Sequence, residues 1–122
     1  MSFKSVFLLL ILAGSFLFGL SSCRKNDNSI LLIPEACGVK DPINNLPWLK
    51  LKIQTFKDVP LMELYQYRYN ASTIFVFYSS LQSCMECESY DCEGKKIQWT
   101  SYQTQQDFMT KRTDKRLLWK VG

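Results

Sequence analysis

The chain has 122 residues, enough for one small domain, with 15 basic and 11 acidic side chains and no histidine. The missing imidazole excludes Ser-His-Asp and Cys-His nucleophilic machinery and the usual catalytic zinc sites. A net charge of +4 is too mild for a dedicated nucleic-acid binder, so no nucleic-acid partner is expected.

The N-terminus divides by composition. Lys4 supplies a positive start, and an apolar stretch from Val6 to Leu20 is interrupted only by Gly14, Ser15 and Gly19. That stretch falls short of the roughly 20 residues that cross a hydrocarbon core, but it suits a signal peptide with small residues, Ser21 and Ser22, at the cleavage point. Leu20-Ser21-Ser22-Cys23 resembles the lipobox of bacterial lipoproteins, whose cysteine is linked by a thioether to diacylglycerol. The expectation is a signal peptide over 1–22, with Cys23 as the lipid-bearing first residue of the mature chain. The membrane, reached through that anchor, is then the first predicted partner.

Residues 23–36 are predicted to be the lipidated cysteine and a tether, polar in its first half and unsuited to a core. Ile30-Leu31-Leu32-Ile33 breaks that pattern and is expected to pack on the domain as an edge strand, with apposition to lipid as the alternative. A single α+β domain over 37–122 follows. Asp41-Pro42 and Asn44-Asn45 are turn formers, and Asn45 is placed to cap a helix with Pro47 in its first turn. Leu46, Leu49, Ile53 and Phe56 recur at helical spacing, which predicts an amphipathic helix over 46–57 ended by Asp58-Val59-Pro60.

Two strand-like runs come next. From Met62 to Tyr69, Tyr65, Tyr67 and Tyr69 alternate with Leu64, Gln66 and Arg68. Residues 72–78 are dense in β-branched and aromatic side chains, and the short Asn70-Ala71 link predicts an antiparallel hairpin. A cysteine-rich loop over 79–89 leads to a turn at Glu93-Gly94, after which 96–100 is expected to pair back as a third strand. Residues 103–112 are predicted as a polar helix and 116–121 as a closing strand. The fold class expected is therefore α+β, one amphipathic helix packed on a small antiparallel sheet and stabilised by disulfides.

With Cys23 lipidated, Cys37, Cys84, Cys87 and Cys92 remain, an even number in a compartment where disulfides persist. Two structural disulfides are expected. Three connectivities are open, with Cys37 expected to reach one member of the 84–92 cluster and so fasten the start of the domain to its sheet. Two sharper alternatives use the same residues. Cys84-Met85-Glu86-Cys87 has the C-x-x-C spacing of thioredoxin-like redox centres, but no proline follows Pro60 to supply the cis-proline those folds set beside the motif. A four-thiolate zinc site is chemically allowed but lacks paired C-x-x-C knuckles.

Glu86, Glu88, Asp91 and Glu93 form an acidic cluster without calcium-loop spacing, expected as an exposed charged loop. Lys111-Arg112, Lys115-Arg116 and Lys120 make the C-terminal stretch basic, a solvated surface before it is a lipid- or polysaccharide-facing one. No P-loop or G-x-G-x-x-G motif is present, and neither a cofactor nor a metal is expected.

Cys37-Gly38-Val39 with Asp41-Pro42, then Leu46-Pro47-Trp48-Leu49, the Tyr65/Tyr67 strand and Tyr90-Asp91-Cys92-Glu93-Gly94 together resemble a family of small, uncharacterised lipoproteins found mainly in Bacteroidota. The resemblance covers roughly residues 37–100. It implies one helix against a small antiparallel sheet and carries over no activity and no catalytic residue. The C-terminal region departs from the family's glycine-rich ending, so the resemblance implies nothing about the fold after residue 100.

The function expected is that of a membrane-tethered cell-envelope lipoprotein, a non-catalytic binding or structural module with an envelope protein or glycan as partner. The alternative is a periplasmic thiol-redox protein using Cys84 and Cys87. Arg24-Lys25-Asn26-Asp27 after the anchor is not an acidic surface-export run, which places the chain at the outer membrane, facing the periplasm.

Overall fold

The structure, a computed structural model, describes residues 34–122. The predicted signal peptide, Cys23 and the apolar 30–33 segment lie outside the described residues. Strands β1 (Glu35–Ala36) and β2 (Val39–Lys40) form a minimal antiparallel ribbon. Its two turn residues, Cys37 (φ 55) and Gly38 (φ 74), are both left-handed, the pattern of a type I′ hairpin turn.

Two prolines then shape the helical segment. Leu46 precedes Pro47, and the clash with the proline ring pushes it out of the helical region to φ −109, ψ 101. The run is thereby split into α1 (Pro42–Asn45) and α2 (Pro47–Phe56). The predicted cap at Asn45 is corrected: Leu46 holds the N-cap position without a side-chain hydrogen bond. Asn45 ends α1, and its Nδ2 donates back to the Lys40 carbonyl at 2.7 Å. The predicted apolar stripe is present, with Leu49 and Ile53 buried and Leu46, Trp48 and Phe56 packed beside them.

Strands β3 (Met62–Tyr69) and β4 (Ser72–Ser79) pair in register from Met62↔Ser79 to Tyr69↔Ser72, the hairpin expected from the Asn70-Ala71 link. β4 is followed by β5 (Glu88–Tyr90), then α3 (Tyr102–Lys111) and β6 (Thr113–Lys120). The sheet order is β5-β4-β3-β6, antiparallel throughout. The fold is a disulfide-stabilised α+β one, as the sequence predicts.

Strand alternation divides the core in two. On one face Met62, Leu64, Phe75 and Phe77 pack against Leu49 and Ile53 of α2. On the other, Tyr67, Ile74 and Val76 pack against Phe108, the buried residue of α3. Four successive residues of β4, from Ile74 to Phe77, are buried because both faces of this inner strand are covered.

The third strand is displaced from its predicted place. β5 precedes the Glu93-Gly94 turn, whereas in the predicted 96–100 strand only Lys96 bridges Tyr90. The cause is Trp99, which leaves the sheet to stack on Phe108 with ring centroids 4.8 Å apart. The turn between them is built by Asp91, whose Oδ1 accepts from the amides of Glu93 and Lys95. Gly94 (φ 81) is required there, since a Cβ would fall 2.6 Å from the Trp48 ring. α3 begins at Ser101, which exchanges capping hydrogen bonds with Thr104.

Candidate functional site

Cys37 bonds Cys92, across a sequence separation of 55, and Cys84 bonds Cys87, across a separation of 3. The four sulfurs thus occupy two separate bonds and offer no joint zinc site. No three metal-ligating side chains are grouped among the described residues.

The two bonds differ in what they constrain. Loop-closure entropy removed from the unfolded chain gives the long link about 4 kcal/mol and the short one about 2 kcal/mol. Cys37–Cys92 clamps the β1–β2 ribbon to the turn after β5, and Trp48 Nε1 donates to the Cys92 carbonyl at 2.9 Å in the same place. Cys84–Cys87 closes a single tight turn between β4 and β5, with Cys84 half-buried and Cys87 exposed.

That tight turn carries a feature absent from the sequence expectation. Its two central residues part: Met85 faces outward at 44 % exposure, while Glu86 turns inward at 2 %. The expected exposed position of Glu86 is therefore corrected. Glu86 Oε1 accepts from Arg112 Nη1 at 3.0 Å, and the Glu86 carbonyl accepts from Ser89 Oγ at 2.7 Å and Trp99 Nε1 at 2.9 Å. One residue thereby ties the cysteine turn to β5, to the segment before α3 and to the end of α3.

Arg112, expected on a solvated basic surface, is also corrected. Its side chain is 17 % exposed, and its guanidinium lies 4.2 Å from the Tyr67 ring centroid and 5.2 Å from that of Phe108. The arrangement satisfies the condition for burying charge, an opposite partner together with polarizable aromatic faces. Burial pushes the Tyr67 phenol above its ordinary pKa, an effect the adjacent guanidinium opposes.

The Glu86–Arg112 pair lines a hollow of about 100 Å³ together with Tyr65, Tyr67, Tyr78, Met85 and Lys115. Lys115 Nζ sits 4.4 Å from the Tyr65 ring centroid. The Tyr65 hydroxyl donates to Glu63 Oε2 at 2.6 Å, and that hydrogen bond, with burial second, pushes the phenol up to about 12. The hollow has the size of one small group, such as a side-chain terminus. A broader depression of about 600 Å³ lies along the Cys37–Cys92 link, with Arg68, Asp91 and Glu93 in its lining.

Two of the other three residues of the predicted acidic cluster have structural work. Glu88 accepts from Lys96 Nζ at 2.7 Å and from the Tyr90 hydroxyl, while Asp91 shapes its turn. Glu93 is exposed. Of the predicted basic stretch, Lys111 pairs with Asp107 at 2.6 Å. No family model, curated protein or solved structure matches the chain.

Proposed function

We propose that the chain is a cell-envelope lipoprotein, exported by residues 1–22 and anchored through a lipid on Cys23, whose domain is a non-catalytic binding or structural module. The observation that carries this reading is the pairing of the cysteines. Cys37, Cys84, Cys87 and Cys92 close two disulfides, bonds that persist outside the reducing cytoplasm. The fifth cysteine, Cys23, is the one that follows Leu20-Ser21-Ser22, and it is left over for a thioether. Two or three acyl chains there make attachment durable, since each buried CH₂ contributes about 0.8 kcal/mol and a single chain holds only weakly.

The membrane we assign is the outer one, with the domain facing the periplasm and an envelope protein or glycan as partner. The resemblance to small lipoproteins of Bacteroidota is part of the same proposal. Growth with an alkyne-bearing fatty acid tests the anchor. The wild-type chain is expected to take the label, and Cys23→Ala to lose both the label and the membrane fraction. A Cys23→Ala chain that still pellets with membranes overturns the anchor. Protease treatment of intact cells tests the side, with degradation placing the domain outside. Crosslinking in native membranes followed by pull-down identifies the partner.

One observation favours a second reading, a thiol-redox protein: Cys84–Cys87 is a closed C-x-x-C disulfide with an exposed member. Against it, Cys87 leads directly into β5, so the motif has no following helix whose N-terminus would stabilise a thiolate. Sustained insulin reduction that disappears in Cys84→Ser would establish this second reading in place of the first.

A further inference from the structure

We infer that the Cys84–Cys87 disulfide is a redox-modification site, reduced by a protein dithiol, and that its bond latches Glu86 onto Arg112 and so holds α3 on the sheet. The inference does not depend on the lipid anchor. It differs from redox catalysis in that the disulfide is the substrate of a reductant and changes the conformation of its own domain.

The chemistry is thiol–disulfide exchange. A thiolate of the partner attacks Cys87 Sγ, the exposed sulfur-bearing residue of the pair. The Cys84–Cys87 bond breaks, and Cys84 leaves as a thiolate that takes up a proton. The partner's second thiol attacks the mixed disulfide and releases Cys87, which is protonated in turn. Two electrons and two protons pass to the loop, and the partner departs with its own disulfide. Cys37–Cys92 is the poorer target, because both of its residues are half-buried.

The structural consequence follows from where Glu86 sits. It lies within the short ring, and closure of that ring confines its backbone to the turn that points its side chain inward. A buried ion pair offsets its own desolvation cost only when its geometry is held. Opening the ring frees the turn that holds Glu86, and with it the Glu86 contacts to Arg112 and Trp99. Arg112 is the C-cap of α3, and Trp99 stacks on Phe108, the buried residue of that helix. Two of the contacts that hold α3, beside the packing of Phe108 on Tyr67 and Tyr69, therefore converge on one residue inside a reducible ring.

The test is graded reduction of the purified chain with dithiothreitol, alkylation of free thiols, and peptide-level hydrogen exchange at each step. Cys84 and Cys87 are expected to be alkylated at reductant concentrations that leave Cys37 and Cys92 bonded. In that state amide exchange across α3 and 85–89 is expected to rise at least tenfold more than exchange in α2. A Cys84→Ser/Cys87→Ser chain is expected to show the same local rise without reductant. Simultaneous alkylation of all four cysteines overturns the inference. So does selective reduction that raises α3 exchange no more than that of α2, and so does a double variant in which α2 loses as much protection as α3, since the bond would then be a global staple.

Discussion

Glu86 and Arg112 are charged residues whose burial no local pattern announces. They lie 26 positions apart, and the charge of each, read along the chain, points to solvent. Only the folded chain brings the cysteine turn under the end of α3. Removing one partner leaves the other charge buried among aromatic rings, so Glu86→Ala is expected to cost about 3 kcal/mol. The double change Glu86→Leu with Arg112→Met is expected to cost less than either single loss, because both desolvation penalties disappear together. Urea unfolding of Glu86→Leu, Arg112→Met and the double variant measures the coupling directly. Tyr65 allows a pH prediction at the same scale. Its phenol donates to Glu63 and is held up at about 12, so the neutral form is favoured in the folded state. The stability it contributes is complete below the unfolded value near pH 10 and is lost as pH rises through about 12. Tyr65→Phe is expected to lower the urea midpoint at neutral pH, where the contribution is complete, and to flatten its fall over that window.

At the scale of elements, the sequence was most legible where one periodicity met one face. The stripe of α2 and the alternation of β3 have this character; β4, buried on both faces, shows instead as a dense β-branched and aromatic run, and α3 and β6 lie within a few residues of where a weaker signal puts them. The failures have physical causes. Asn45 has the chemistry of a cap, but the steric effect of Pro47 on Leu46 sets the helix boundary one residue later. The 96–100 run has strand-like composition, yet Ile97 and Trp99 pack on the second core instead of extending the sheet. The hairpin link itself is suboptimal: Asn70 (φ 47) and Ala71 (φ 61) are both left-handed, and a Cβ disfavours that region at Ala71. Asn-Gly is the preferred pair for such a turn. Ala71→Gly is therefore expected to stabilise the domain by about 0.5–1 kcal/mol, read as a higher urea midpoint at unchanged slope.

For the molecule as a whole, composition indicated a small domain needing covalent help, and the cysteine count indicated how much. What it could not indicate was a second layer. A predicted polar helix carries little apolar surface, and α3 docks through one buried residue, Phe108, set between Trp99, Tyr67 and Tyr69. The two sheet faces are thus held by different means, a broad apolar contact beneath α2 and a polar–aromatic cluster beneath α3. The disulfides follow the same division. Cys37–Cys92 closes a separation of 55 and joins the ribbon to the first core, whereas Cys84–Cys87 closes a separation of 3 beside the second. Opening the first restores far more freedom to the unfolded chain. Cys37→Ser/Cys92→Ser is therefore expected to lower stability by about 4 kcal/mol, and Cys84→Ser/Cys87→Ser by about 2 kcal/mol or less. Calorimetry of the two double variants checks the order. A larger loss from the short link would mean that the cysteine turn and its Glu86 contacts, not chain entropy, dominate the stability of this domain.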